Sequence, residues 1–113
     1  MFGSILSRLT GGGGADVDHA GVEAAIRESS HAVVDVREPH EFASGHIPGS
    51  VNMPLSRFDA AKLPTDRPVI LTCASGGRSG HACARARQTG REDVANHRGG
   101  VGGWARAGGK LAR

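Results

Sequence analysis

Aromatic residues are scarce in this sequence, and it contains no long run of one charge sign or of apolar residues. Phenylalanine, tryptophan and tyrosine make up 4% of the 113 residues, with one tryptophan and no tyrosine, so a surface that stacks nucleic-acid bases is not expected. The formal net charge of +3 comes from scattered arginines, which fits a small anionic substrate about as well as it fits no charged partner at all. No apolar stretch approaches the length of a membrane span. We therefore predict neither a nucleic-acid partner nor a membrane partner.

Cysteine is also rare, since Cys73 and Cys83 are the two in the chain. Both lie in or beside one predicted helix, so they do not form a disulfide framework, and a reduced, cytoplasmic setting is expected. Six histidines occur singly, without a Cys-x2-Cys or His-x3-His pair. We interpret them as surface or structural residues and predict no metal site.

The first 14 residues differ in character from the rest of the chain. Their short apolar stretch is interrupted by glycine, serine and arginine, and it lacks the features of a signal peptide. The four glycines at 11–14 are typical of a flexible linker. We predict a flexible tail and linker over residues 1–14 and one domain over residues 15–113.

Beyond the linker, short β-branched runs alternate with helical segments. The predicted strands cover residues 31–36, 51–54, 69–72 and, weakly, 94–96. The predicted helices cover residues 19–29 after an Asp16 or Asp18 cap, 39–43 from Pro39, 55–63 before Pro64, 78–89 before Gly90, and a short stretch around Trp104. This alternation predicts an α/β fold, with a small parallel sheet flanked by helices on both faces. Ligands of such sheets bind beyond the carboxyl ends of the strands, which is where Cys73 falls.

The stretch CASGGRS, residues 73–79, is the candidate active-site loop. Gly76 and Gly77 can adopt positive φ and turn successive amide groups inward as an anion-binding nest. The following helix start favours an anion and acidifies a thiol, and Arg78 and Ser79 add a charge and a donor. The alternative is a buried cysteine at a strand end before an ordinary turn. An arginine beside a serine after two glycines favours the anion receptor.

Three stretches in this order resemble the single-domain rhodanese family of sulfurtransferases. They are DVREPHEFASGHIPGSVNMPL at 35–55, CASGGRSGHACARA at 73–86 and GGVGGW at 99–104. The resemblance covers residues 16–111 and implies a rhodanese-like fold. Arg91 and His97 depart from it, because an aromatic residue and a leucine are usual at these positions.

The resemblance implies an enzyme in which Cys73 attacks the outer sulfur of thiosulfate or a related donor and becomes a persulfide. The sulfur then passes to cyanide, a thiol or a protein acceptor, without a metal or an organic cofactor. The donor would bind the rest of the loop, which comprises Ala74, Ser75, Gly76, Gly77, Arg78 and Ser79. The spacing Cys-x4-Arg resembles the sulfurtransferase loop, whereas related phosphatase domains have Cys-x5-Arg. The second hypothesis is a non-enzymatic rhodanese-like module that binds a partner or carries sulfur.

Several polar and bulky residues near these motifs have two interpretations. Asp35, Arg37, Glu41 and His46 could be acid–base catalysts, but we interpret them as structural residues near the site, because an acidified thiolate needs no general base. Cys83 is interpreted as a small core residue and alternatively as a resolving thiol. Trp104 is interpreted as a core residue and alternatively as part of the active-site mouth.

Overall fold

The sheet has five strands, and the computed structural model describes residues 16–113 of the chain. The predicted tail and linker over residues 1–14 therefore lie outside the described residues. The strands are β1 (Asp16–Val17), β2 (Ala32–Asp35), β3 (Val51–Asn52), β4 (Val69–Thr72) and β5 (Val94–His97). All neighbouring strands are parallel, in the order β1-β5-β4-β2-β3. The central strand is β4, and Cys73 follows it directly.

Residues 16–113 form four α-helices and two 3-10 turns between and after the strands. They are α1 (His19–Glu28), α2 (Pro39–Ser44), the 3-10 turns Leu55–Arg57 and Ala60–Lys62, α3 (Gly77–Gln88) and α4 (Gly100–Arg106). Asp18 caps α1, because its carboxylate accepts the backbone N–H of Gly21 at 2.8 Å. Among residues 16–113, no helix combines the length and the apolar character that a membrane crossing requires.

The two faces of the sheet carry separate apolar clusters, as the alternation of side chains along a strand requires. Val33, Ile70 and Ala95 are register partners on one face and pack with side chains from α1 and α4. Val34 and Leu71 point to the other face and pack with the buried side of α3. The predicted α/β architecture, with a parallel sheet and helices on both faces, is confirmed.

The prediction of one helix over residues 55–63 is wrong, since two 3-10 turns occupy this segment. Phe58 ends the first turn in an extended conformation, and its buried side chain belongs to the cluster beneath α3. The Asp59 carboxylate then accepts the backbone N–H of Ala61 and starts the second turn. Burial of one aromatic side chain has therefore interrupted a segment with helical composition.

Both residues that depart from the family pattern, Arg91 and His97, lie in or just before β5. The weakly predicted strand 94–96 is β5, an interior strand that pairs with β1 and β4. His97 is buried at its end, and its ring nitrogen Nδ1 lies 2.9 Å from the hydroxyl of Thr72. Arg91 pairs with Asp93 and donates to the carbonyl of Pro64. Both departures are therefore accommodated by polar contacts.

Candidate active site

The loop between β4 and α3 surrounds the sulfur of Cys73 with donors. The backbone N–H of Gly76 donates to Sγ at 3.1 Å, and the hydroxyl of Ser79 lies 3.4 Å from it. Cys73 and Ser79 are both buried, whereas Ser75 and Gly77 are exposed. The structure thus brings Cys73, Gly76 and Ser79 together at the carboxyl end of the central strand.

The two consecutive glycines of the loop are not equivalent. Gly76 has φ of 100° and precedes α3 as its N-cap, a left-handed conformation that favours glycine. A Cβ atom at Gly76 would also lie 2.2 Å from the carbonyl oxygen of Arg98. At Gly77, in contrast, a Cβ atom would meet no atom within 4 Å. Of these two glycines, only Gly76 has positive φ, so the expectation of positive φ at Gly77 is wrong and the fold requires glycine at 76 but not at 77.

The start of α4 forms hydrogen bonds with the backbone of the candidate active-site loop. The backbone N–H groups of Val101 and Gly102 donate to the carbonyl oxygens of Cys73 and Ala74 at 2.8 and 2.9 Å. Gly100 has φ of 64°, and a Cβ atom there would lie 2.5 Å from the Ala74 carbonyl oxygen. The GGVGGW stretch thus binds the loop carbonyls, while amides of the same loop donate to the sulfur.

These donors outweigh the effect of burial on Cys73. Burial alone raises the pKa of a thiol, because it disfavours the charged form. Hydrogen bonds from the Ser79 hydroxyl and from the backbone amides of Ser79, Ser75 and Gly76 act in the opposite direction, and the net effect is a pKa below the ordinary value. The loop therefore favours the thiolate, which is the nucleophilic form of cysteine.

Asn96 holds two parts of the loop from the neighbouring strand β5. Its side-chain oxygen accepts the Ser79 hydroxyl at 2.6 Å, and its side-chain nitrogen donates to the Gly76 carbonyl at 3.1 Å. The Ser79 hydroxyl has one proton, so Asn96 and the sulfur of Cys73 compete for it. Asn96 was not predicted as a site residue from the sequence. Its only signal was a polar side chain directly after the apolar pair Val94–Ala95 in a short strand.

Arg78 is paired with an acidic residue of α2. Its guanidinium donates to both carboxylate oxygens of Glu41, at 2.8 and 3.0 Å. The hydrogen bond from Arg78 lowers the pKa of Glu41 to about 2, and the same bond raises the pKa of Arg78. The anion that the Arg78 side chain faces in this structure is therefore a residue of the same chain.

Asp35, Arg37 and His46 make contacts around α2. The guanidinium of Arg37 donates to the buried carboxylate of Asp35 at 2.8 Å and to the carbonyl of Gly45 at 2.7 Å. The His46 ring stacks on Phe42, with centroids 3.8 Å apart. These contacts connect β2 with α2 and the turn that follows it. None of the hydrogen bonds just described is made to the loop 73–79.

Cys83 and Trp104 are both buried. Cys83 belongs to the apolar cluster on the inner side of α3, and burial raises the pKa of its thiol to about 11. Trp104 packs in the opposite cluster, and its indole N–H donates to the carbonyl of Lys110 at 2.7 Å. Both cysteines are free thiols. In the described part of the chain, no group of three or more histidine, cysteine or acidic side chains could hold a metal ion.

Comparisons with known proteins agree with this architecture. The family model of the rhodanese-like domain matches residues 18–107. The chain is 43% identical over 81 residues to the uncharacterized protein YqhL of Bacillus subtilis, and this match covers 70% of the chain and 62% of that protein. It is 42% identical over 78 residues to a sulfurtransferase of Allochromatium vinosum, covering 67% of the chain and 73% of the relative.

Two further similarities concern an enzyme and a solved structure. The thiosulfate sulfurtransferase GlpE of Stutzerimonas stutzeri is 40% identical over 83 residues, which cover 71% of the chain and 75% of that enzyme. The crystal structure of a rhodanese-related protein from Thermoplasma volcanium superposes with a TM-score of 0.77 at 29% identity, covering 86% of the chain and 96% of that protein.

Proposed function

Since the chain belongs to the rhodanese-like domain family, we propose that it is a sulfurtransferase that carries a sulfane sulfur as a persulfide on Cys73. One observation supports this most directly. Cys73 directly follows the central strand β4. The backbone N–H of Gly76 donates to its sulfur, with the nitrogen 3.1 Å away. Donors in this position stabilise a sulfur anion, which both halves of a sulfur-transfer cycle require.

In the first half of the proposed cycle, the Cys73 thiolate attacks the outer sulfur of thiosulfate or a related donor. A new sulfur–sulfur bond forms at Cys73, the sulfur–sulfur bond of the donor breaks, and sulfite leaves with the electron pair. The product is the Cys73 persulfide anion. The same amides that lowered the pKa of the thiol remain available to it.

In the second half, an acceptor nucleophile attacks the terminal sulfur of the persulfide. Cyanide leaves as thiocyanate, and a thiol or a protein thiol leaves as a persulfide, while the electron pair of the broken bond regenerates the Cys73 thiolate. Neither half changes the total number of electrons, so no metal or organic cofactor is needed for balance. We propose that the segment 74–79 holds the donor, with Ala74, Ser75, Gly76 and Gly77 contributing through their backbone.

A reducing compartment such as the cytoplasm suits this cycle, because oxidation of the Cys73 thiolate by anything other than the sulfur donor would remove the nucleophile. We propose that Asp35, Arg37 and His46, which surround α2, have structural roles. Asp35 and Arg37 form a buried pair, and His46 stacks on Phe42, so their contacts stabilise the elements beside the loop.

The experiment that tests this proposal is intact mass spectrometry after incubation with thiosulfate. We expect the wild-type chain to gain one sulfur atom that dithiothreitol removes, and Cys73→Ser to gain none. Cys83→Ala is the matched control and should still gain the sulfur. An adduct that persists in Cys73→Ser would refute the assignment of the nucleophile.

Turnover separates an enzyme from a module that only carries sulfur. We expect repeated formation of thiocyanate when thiosulfate and cyanide are both in excess. One equivalent of persulfide without further turnover would instead support the sulfur-carrier function.

A further inference from the structure

The only cationic side chain of the loop 73–79 is already neutralised by another part of the molecule. Arg78 and Glu41 form a two-pronged ion pair, with one nitrogen–oxygen distance of 2.8 Å and the other of 3.0 Å. The side chains are 37% and 28% exposed, respectively, so the pair lies at the surface beside the loop. A donor that binds the Arg78 side chain therefore lies beside a carboxylate as well as a guanidinium.

Glu41 is fixed in this position by its own helix. Its carboxylate oxygen also accepts the backbone N–H of Glu38 at 2.9 Å, which forms half of the capping box of α2. The Glu38 carboxylate is held in turn by the hydroxyl of Ser56 at 2.9 Å. If Glu41 turned away from Arg78, it would give up the helix cap. Glu41 uses two of the five N–H groups of the Arg78 guanidinium, so a donor can bind the others, but the Glu41 carboxylate then stays beside that donor.

The charge of the donor then determines how strongly the Glu41 carboxylate repels it. Thiosulfate carries two negative charges, and the Arg78–Glu41 pair has no net charge to offset them. A thiosulfonate, R–SO2–S⁻, carries the same reactive outer sulfur on a sulfonyl group but only one negative charge. Repulsion from a fixed carboxylate is smaller for the monoanion, since the Coulomb energy scales with the product of the charges.

We propose that Glu41 is a specificity-determining residue that disfavours dianionic donors, so that monoanionic sulfane donors such as thiosulfonates are the preferred class. This inference rests on the proposed persulfide chemistry of Cys73. With a thiosulfonate, the Cys73 thiolate attacks the outer sulfur, the bond to the sulfonyl sulfur breaks, and a sulfinate leaves with the electron pair. The protein product is the same persulfide anion, so a comparison of the two donors isolates the effect of charge.

The test measures kcat/KM of the full chain for thiosulfate and for methanethiosulfonate, with cyanide as acceptor and Cys73→Ser as the background. Glu41→Gln removes the carboxylate charge and leaves Arg78 free. We expect the ratio of thiosulfate to methanethiosulfonate activity to rise about fivefold, the factor for one pair of unit charges about 4 Å apart in water. The rise should appear in KM and should shrink at high ionic strength.

Two controls separate this effect from damage to the fold or a change in net charge. Glu28→Gln removes the same charge at the end of α1, which leads into the start of β2 and so lies at the amino-terminal end of the strands, whereas Cys73 lies at their carboxyl-terminal end. It should leave the ratio unchanged. Glu41→Asp keeps the charge and should preserve the preference for the monoanion, even if the shorter side chain weakens the cap.

The double variant shows how Arg78 acts. Arg78→Ala exposes the Glu41 carboxylate and should lower the ratio of thiosulfate to methanethiosulfonate activity. Adding Glu41→Gln to Arg78→Ala should restore it, because the repelling charge is then gone. A ratio that stays within twofold of wild type in Glu41→Gln, or a double variant as low as Arg78→Ala, would overturn this inference. Failure of both donors to form a persulfide on the wild-type chain would overturn the proposed function instead.

Discussion

The backbone N–H of Val101 donates a 2.8 Å hydrogen bond to the carbonyl oxygen of Cys73. The bond connects the closing glycine-rich stretch with the candidate nucleophile, although 28 positions separate the two residues in the sequence. It is paired with a second bond, from Gly102 to the carbonyl of Ala74. The carbonyls of the loop are thereby bound to α4, and amides of the loop are left to face the sulfur.

Because α4 holds the loop in this way, we expect substitution of Gly100 to lower stability and to slow persulfide formation. Its φ of 64° and the 2.5 Å approach of a Cβ atom to the Ala74 carbonyl leave no room for alanine. We expect Gly100→Ala to lose at least about 1–2 kcal/mol of unfolding free energy from the left-handed conformation alone. We also expect persulfide formation to slow, because the loop must move away from α4.

Gly99→Ala is the matched control for this substitution. Gly99 has φ of −78°, and its Cβ atom would make only an ordinary 3.7 Å contact with Gly103. Urea denaturation and the rate of persulfide formation should therefore be close to wild type. Equal stability and equal rates in both variants would contradict the role of α4 in holding the loop.

The two cysteines are expected to differ in reactivity, although both are 1% exposed. Hydrogen bonds lower the pKa of Cys73 against the effect of burial, whereas burial raises the pKa of Cys83 to about 11. At pH 8 only about one Cys83 in a thousand is then a thiolate, since each pKa unit is a factor of ten. Iodoacetamide should modify Cys73 first, as read by peptide mass spectrometry.

The turnover of a Cys83 variant should also show that Cys73 is the reactive cysteine and that Cys83 is not. Cys83→Ala removes one small buried side chain, so it should cost about 1–2 kcal/mol of stability and leave turnover largely intact. Rapid alkylation of Cys83 at neutral pH, or loss of turnover in a folded Cys83→Ala protein, would indicate a resolving thiol.

The pH dependence of persulfide formation should report the hydrogen bond from Ser79. The rate is expected to rise with pH and to level off above the pKa of Cys73, with an inflection below the ordinary thiol value of about 8.5. Ser79→Ala removes the largest of the contributions that lower this pKa. Its inflection should move upward, because a hydrogen bond that favours the thiolate is lost.

Ser75→Ala provides the control for this pH profile. Ser75 is exposed and acts on Cys73 through its backbone amide, which alanine keeps. Its inflection should coincide with wild type. A profile of Ser79→Ala that overlays the wild-type profile would assign the acidification of Cys73 to the backbone alone.

Local patterns in the sequence were sufficient to predict the elements that position Cys73. The mostly β-branched residues 69–72 form β4 as predicted, and the helix predicted over 78–89 is α3, which begins one residue earlier. An aspartate cap for the first helix could also be predicted, although the sequence left Asp16 and Asp18 as alternatives, and the structure shows that Asp18 is the cap. These features depend on neighbours in the chain, so sequence spacing carries the information.

Contacts between distant segments could not be predicted in this way. Arg78 and Glu41 are 37 residues apart, and no spacing rule connects a loop arginine with a helix cap. The contact of Asn96 with Ser79 depends on β5 lying beside β4, which a single sequence does not reveal. The strand β1 was missed because two residues are too few to show an alternating pattern.

We expect His97 to make the fold less stable in acid. Burial lowers its pKa to about 4, since the charged imidazolium would lose its hydration inside the fold. In the unfolded chain the pKa is about 6.5. Between these values the unfolded state binds the proton and the folded state does not, so stability falls as the pH falls from about 6.5 to about 4. The loss amounts to about 3 kcal/mol, at about 1.4 kcal/mol per pKa unit.

Substitution of His97→Leu should remove this contribution, as measured by urea denaturation at pH 7 and pH 5. At pH 7 the variant also loses the contact with Thr72, which should cost about 1 kcal/mol. Part of the pH dependence should remain, because burial also lowers the pKa of His31. His81→Gln, an exposed position on α3, is the control and should keep the wild-type dependence. If His97→Leu loses as much stability between pH 7 and pH 5 as wild type, His97 does not destabilise the fold in acid.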